Sequence, residues 1–136
     1  MGVRVDIDYE GKLHCRCVHA PSGSVLPTDA PRDNQGLGES FSPTDLVGTA
    51  LGTCMLTTMA IVARKSGVEL GPMSASVDKE MVADPKRRVA KLTVAITMPA
   101  SLEAGMRKQL EETAHTCPVA LTLSERTQVA LTFTYA

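Results

Sequence analysis

Residues 46–63 carry no charged side chain, and this run constrains the fold more than any other segment. At this length it is just long enough to be a marginal membrane candidate. Four Thr and two Gly dilute it, and the flanking segments read as amphipathic strands. A buried central helix accounts for it better than a membrane span. Ser42-Pro43-Thr44-Asp45 supplies the start. Ser42 suits the N-cap, Pro43 the first helical position, and Asp45 the third, where a carboxylate meets free N–H groups and the positive end of the dipole. The helix is expected to run to about Ser66, with Arg64 and Lys65 near its C-terminal end and Gly67 as the left-handed residue that closes it. Apolar residues lie all round it, so it should be covered on nearly every side. Gly48 and Gly52 lie four apart and would let another backbone approach. A small domain rarely encloses a helix that fully, so a second subunit is expected to help.

The chain has 136 residues, which suits one domain over 1–136 with a core that needs no staples. Apolar residues make up 43% and charged residues 21%, which excludes disorder and collagen-like composition. There is no Trp and there are two Tyr and two Phe, so a base-stacking platform for nucleic acid is not expected. With 14 basic and 15 acidic residues, there is no cationic excess to bind phosphate or anionic lipid. The first ten residues are charged throughout and lack the apolar core of a signal peptide. A cytoplasmic setting with reduced thiols follows as the expectation. Four cysteines there point to catalysis, redox chemistry or metal before structural disulfides.

Periodicity places the remaining elements. Val3, Val5, Ile7 and Tyr9 alternate with charged residues, as in a half-buried strand. Glu10-Gly11-Lys12 turns the chain, and Leu13, Cys15 and Cys17 continue the alternation as a hairpin. Residues 20–38 read as loop, with a short strand near Ser24 to Leu26. Two strands, around residues 73–78 and 90–98, form a second hairpin through Asp84-Pro85-Lys86. Ser101 is expected to cap a helix with the apolar spacing Leu102, Met106, Leu110 and Ala114. Cys117-Pro118 opens a short helix to about Ser124, and Val129 to Tyr135 form the last strand. The order β-β-(β)-α-β-β-α-α-β is that of an α+β domain.

The cysteines sit in contrasting settings. Cys54 lies mid-helix, facing the same way as Val47, Ala50, Leu51, Thr58 and Ile61. Apolar surroundings raise a thiol pKa, so a reactive Cys54 needs an offsetting charge; otherwise it is a small core residue. Cys117 reads as an N-cap, where N–H groups and the dipole favour a thiolate, or as a plain spacer. His115 is close enough in sequence to help Cys117, or caps the preceding helix. Cys15 and Cys17 share one strand face with His19, but no second ligand pair has zinc-like spacing, so two packed side chains are the expected reading. Two thiols in different settings can act as a redox pair, one oxidised by peroxide and the other condensing with it. Spacing alone does not establish that pair.

Ser42-Pro43-Thr44-Asp45-Leu46 leading into Ala50-Leu51-Gly52-Thr53-Cys54, followed later by Thr116-Cys117-Pro118-Val119, resembles the OsmC/Ohr family of small bacterial thiol-dependent hydroperoxide reductases. The resemblance extends over the whole chain. It implies an OsmC-like α+β fold, with antiparallel β-hairpins around a long buried helix, and an intertwined homodimer. It implies that Cys54 is the peroxidatic thiol and Cys117 the resolving one, with an arginine beside Cys54. Arg32 is the only Arg or Lys in the loop before the long helix and takes that role. The best-known members carry a Glu immediately after the motif proline, to orient the arginine. Thr44 stands there in this chain, so Glu39 from the loop and Asp45 are the carboxylates expected to replace it. The implied reaction reduces an organic hydroperoxide to an alcohol at the expense of an external dithiol, with no metal, flavin or haem and with neither nucleic acid nor membrane as partner. Leu51, Met55 and Val119 would favour organic peroxides over hydrogen peroxide. The alternative, which the Thr44 departure supports, is a redox-sensing or small-ligand-binding protein on the same fold, without efficient turnover.

Overall fold

A computed structural model of the chain describes residues 2–136. The elements follow the expected α+β order, and the chain forms two compact units, one ending at Val47 and one running from Gly48 to Ala136.

In the first unit, β1 (Val5–Gly11), β2 (His14–His19) and β3 (Val25–Asp29) make an antiparallel sheet in the order β1-β2-β3. The hairpin expected between the first two strands is present. The short strand foreseen at residues 24–26 runs instead from 25 to 29, because its backbone stays paired to β2 through His14 and Asp29. Register places Ile7 opposite Cys17, Cys17 opposite Leu26, and Tyr9 opposite Cys15 on one face. That face is not half-buried within the chain: Val5, Ile7 and Tyr9 are 49%, 64% and 65% exposed. Alternation shows which side of a strand is apolar, and tertiary structure decides whether anything covers it. The loop after β3 contains a 3-10 turn at Arg32–Asn34. It is tied down by Asp29 N–H to the Phe41 carbonyl at 3.0 Å and Ala30 N–H to the Leu13 carbonyl at 3.0 Å.

The long helix α1 spans Pro43–Lys65. Its start is a reciprocal cap: Asp45 N–H donates to Ser42 Oγ at 3.0 Å, and Ser42 N–H donates to Asp45 Oδ2 at 2.9 Å. Its end is a Schellman motif. Gly67, at φ 76°, donates its N–H to the Arg64 carbonyl, and Val68 N–H reaches the Ala63 carbonyl at 2.9 Å. By length and composition alone α1 could cross a membrane.

In the second unit, β4 (Ser74–Val82), β5 (Arg88–Met98) and β6 (Gln128–Tyr135) form a sheet in that order, with β4 antiparallel and β6 parallel to β5. One face carries the core: Leu92, Val94, Ile96 and Met98 are buried along β5, flanked in register by Val77 and by Leu131, Phe133 and Tyr135. The other face presents Ser74, Ser76, Asp78, Thr132 and Thr134 to solvent. The α1 helix packs on the core face through Gly48, Leu51, Gly52, Met55, Met59 and Ala63. Coverage on nearly every side is therefore not what a single chain provides. The buried residues form one stripe, while Thr49, Thr53, Thr57 and Ile61 point outward. The two glycines admit a side chain rather than another backbone: Val77 Cγ1 and Cγ2 lie 3.2 and 2.9 Å from where a Cβ would stand at Gly48 and Gly52.

Helix α2 (Ala104–His115) buries Leu110 and Ala114. It is clamped to the sheet by Tyr135, whose hydroxyl donates to Glu111 Oε2 at 2.5 Å and whose ring lies 4.0 Å below the Arg107 guanidinium. The N-cap is Glu103 rather than Ser101; Pro99 to Leu102 form a turn before the helix begins. Helix α3 (Pro118–Thr122) ends two residues before the expected Ser124, with Leu123 already extended.

Candidate functional site

Two sulfurs meet in the second unit. Cys54 stands at the middle of α1, held by a helix capped at both ends and seated on the sheet through neighbouring Leu51 and Met55, which are fully buried. Cys117 stands at the junction of α2 and α3. Pro118 stops α2 from continuing and supplies the first residue of α3. This makes Cys117 the N-cap, as its sequence context predicts, with Ala120 N–H donating to its Sγ at 3.5 Å. Each thiol shifts the ionisation of the other, and both are free.

Their electrostatics differ in an instructive way. Burial pushes the Cys54 thiol up, but hydrogen bonds from the Val119 N–H, the Thr58 hydroxyl and the Cys117 thiol outweigh it, so Cys54 lies below the ordinary cysteine value. Burial also pushes Cys117 up. The Ala120 N–H works against that, while the neighbouring Cys54 adds to it, leaving Cys117 above the ordinary value. The capping position had marked Cys117 as the more acidic thiol. The structure reverses this order because Cys117 is completely shielded from solvent and donates its proton toward Cys54, which collects three donors. All three donors belong to the second unit. Sequence reasoning placed Thr58 on the Cys54 face of the helix without assigning it a function. Val119 was foreseen only as apolar lining, because a backbone N–H leaves no mark on the pattern of side chains.

The other expected site residues lie in the first unit. Arg32 is exposed in the 3-10 turn, and its Nε donates to the Leu37 carbonyl at 3.2 Å. Glu39 donates its backbone N–H to Asp29 Oδ2 at 2.9 Å, and its carboxylate adds to the negative field at His14. Asp45 accepts the Ser42 N–H at the start of α1, the helix-start role its position also allowed. Asp29 itself was not foreseen. It is buried, and its Oδ1 meets His14 Nδ1 at 2.5 Å, so that β2, β3 and the Arg32 loop share one carboxylate. His14 is raised and Asp29 lowered, in each case chiefly through this hydrogen bond. Cys15 and Cys17 lie apart from any cluster of His, Cys, Asp or Glu suited to a metal, and none exists among the described residues.

The family model for OsmC-like protein matches residues 36–132. None of the curated proteins compared with the chain matches it. Among solved structures, a Psychrobacter arcticus protein, provisionally named for an osmotic stress induced and detoxification response, is 40% identical over 98% of this chain and 97% of its own, with a TM-score of 0.90. An organic hydroperoxide resistance protein OsmC from Legionella pneumophila shares 20% identity over 98% of this chain and 97% of its own, with a TM-score of 0.76. The organic hydroperoxide resistance protein OhrB of Bacillus subtilis shares 14% identity over 98% of each chain, with a TM-score of 0.71. The last two likenesses concern the fold. The family model and the 40% identical relative place this chain in the OsmC-like protein family.

Proposed function

We propose that the protein is a thiol-dependent organic hydroperoxide reductase in which Cys54 is the peroxidatic and Cys117 the resolving residue. The observation that carries this reading is the contact between a thiol held below its ordinary pKa and a second, shielded thiol held above it. The names of the Legionella and Bacillus relatives point the same way.

The Cys54 thiolate attacks the terminal oxygen of ROOH. The O–O bond breaks, the sulfur becomes a sulfenic acid, and the alkoxide takes a proton and leaves as ROH. Oxidation removes the negative charge that helped to raise Cys117. Cys117 can then ionise and attack the Cys54 sulfur, forming the disulfide and expelling hydroxide, which is protonated to water. An external dithiol reduces the disulfide by two exchange steps and is itself oxidised. Arg32, oriented by Glu39 or Asp45, is the cation assigned to the thiolate and the peroxide. Of the apolar residues expected around the site, Leu51 and Met55 are buried beneath α1, and the half-buried Val119 is the one open to an organic R group. No metal or organic cofactor takes part. We also infer a homodimer in a reducing compartment such as the cytoplasm, with a second copy covering the exposed Val5, Ile7 and Tyr9 face and the outward side of α1.

Consumption of an alkyl hydroperoxide with a dithiol reductant tests the reading. Turnover is expected in the wild type and lost in Cys54→Ser, while Cys117→Ser stalls after one oxidation. Disulfide formation without turnover would favour a redox-sensing protein instead.

A further inference from the structure

We infer that Thr58 is a catalytic residue whose hydroxyl donates a hydrogen bond to the Cys54 sulfur and holds it as the reacting thiolate. The inference deepens the proposed peroxidase reading and rests on it.

The geometry is local. Thr58 lies one helical turn beyond Cys54, and its Oγ1 is 3.8 Å from Sγ, a hydrogen-bonding distance for the larger sulfur atom. Two other threonines of this stretch behave differently. Thr53 and Thr57 each donate to the carbonyl four residues earlier, at 2.8 and 2.9 Å. That back-bond is the default for a helical threonine, because it satisfies the hydroxyl within its own helix. Thr58 has the same option toward Cys54 and instead presents its hydroxyl to the Cys54 side chain. Thr53 and Thr57 are exposed and Thr58 is half-buried, so water competes less for its hydroxyl.

A hydroxyl has one proton to give, and a thiolate is a far better acceptor than a thiol. The bond therefore strengthens as Cys54 ionises and lowers the energy of the charged form. In the attack, Cys54–S⁻ and ROOH become Cys54–SOH and RO⁻, and RO⁻ takes a proton from solvent. The donor contact requires no proton transfer from Thr58, and the same hydroxyl remains beside the sulfenic acid until Cys117 displaces its oxygen.

The test uses the full-length reduced protein. The rate of Cys54 alkylation by iodoacetamide is followed against pH, with each cysteine resolved by peptide mass spectrometry. Thr58→Val removes the donor and keeps the shape. It is expected to raise the Cys54 midpoint by up to about one pH unit, which lowers the thiolate fraction at neutral pH by about three- to tenfold. The second-order rate with alkyl hydroperoxide should fall by the same factor. Thr58→Ser keeps the donor and should stay within about twofold of wild type. Thr58→Ala repeats the first variant if the valine protein does not fold. A midpoint unchanged in Thr58→Val or Thr58→Ala overturns the proposal, as does a serine variant shifted as far as either. A shifted midpoint in a protein whose wild type never consumes peroxide would leave Thr58 as the thiolate donor and remove the peroxidase reading. Peroxide turnover with an unmoved midpoint would do the reverse.

Discussion

Replacing Gly52 by Ala should destabilise the protein, although alanine is the better helix former. In an exposed helix interior the exchange would stabilise by about 1 kcal/mol. Here the new Cβ would stand 2.9 Å from Val77 Cγ2, closer than real Cβ contacts come. Val77 has little room to yield. Its χ1 is stiff, and its other methyl already faces Gly48, with Cγ1 3.2 Å from a Cβ built there. Relief requires α1 to move off β4, and overpacking of this kind costs about 1–3 kcal/mol. Set against the propensity gain, the net loss is roughly 1 kcal/mol. Val77→Ala removes both methyls, so Gly52→Ala in that background should recover the full gain of about 1 kcal/mol. The coupling energy between the two sites is therefore about 2 kcal/mol. Urea unfolding followed by circular dichroism, at one fixed protomer concentration, reads all four corners of the cycle. A Gly52→Ala protein as stable as wild type, or a cycle without coupling, would refute the packing of α1 on β4 described above.

The His14–Asp29 pair makes the first unit sensitive to pH. His14 is raised above its ordinary 6.5, so its contribution is complete below that value and is lost as pH rises through the folded-state value. Asp29 is lowered from 3.8, so its contribution is present above that value and is lost as pH falls through the depressed one. A nuclear magnetic resonance titration should give a His14 midpoint above 6.5 that tracks a chemical-shift change at the Glu39 amide, and His14→Gln should abolish that change. At the other site, Cys117→Ala removes the acceptor for Ala120 N–H and should cost about 1 kcal/mol in urea, whereas Cys117→Ser keeps an acceptor and should cost less.

What could be read in the sequence was what is decided locally. Ser42, Asp45 and Gly67 bound α1 through hydrogen bonds within a few residues, and Cys117-Pro118 places a cap by the same short-range chemistry. Strand alternation identified five of the six strands apart from their exact bounds, while the third was expected only as a short strand inside a loop. It gave no hint that β6 lies parallel to β5, which depends on where α2 and α3 return the chain. The Ser101 cap failed because a turn from Pro99 to Leu102 delays the helix to Ala104, which leaves Glu103 at the N-cap position with no side-chain cap. His14 and Asp29 are distant in sequence and become register partners only once β2 and β3 pair. The meeting of Cys54 with Cys117 is of the same kind: the family resemblance implied it, and no periodicity could. Their acidity order was misread from capping alone because the donors to Cys54 come from two separate elements.

The central claim is that Cys54 and Cys117 are chemically one site. The most direct measurement treats the reduced protein with one equivalent of an alkyl hydroperoxide, quenches rapidly with an alkylating agent, and maps all four cysteines by peptide mass spectrometry. The account predicts a Cys54–Cys117 disulfide as the main product, Cys15 and Cys17 still reduced, and trapped Cys54 sulfenic acid when Cys117 is replaced by Ser. Oxidation that spares Cys54, or that appears first at Cys15 or Cys17, would contradict it.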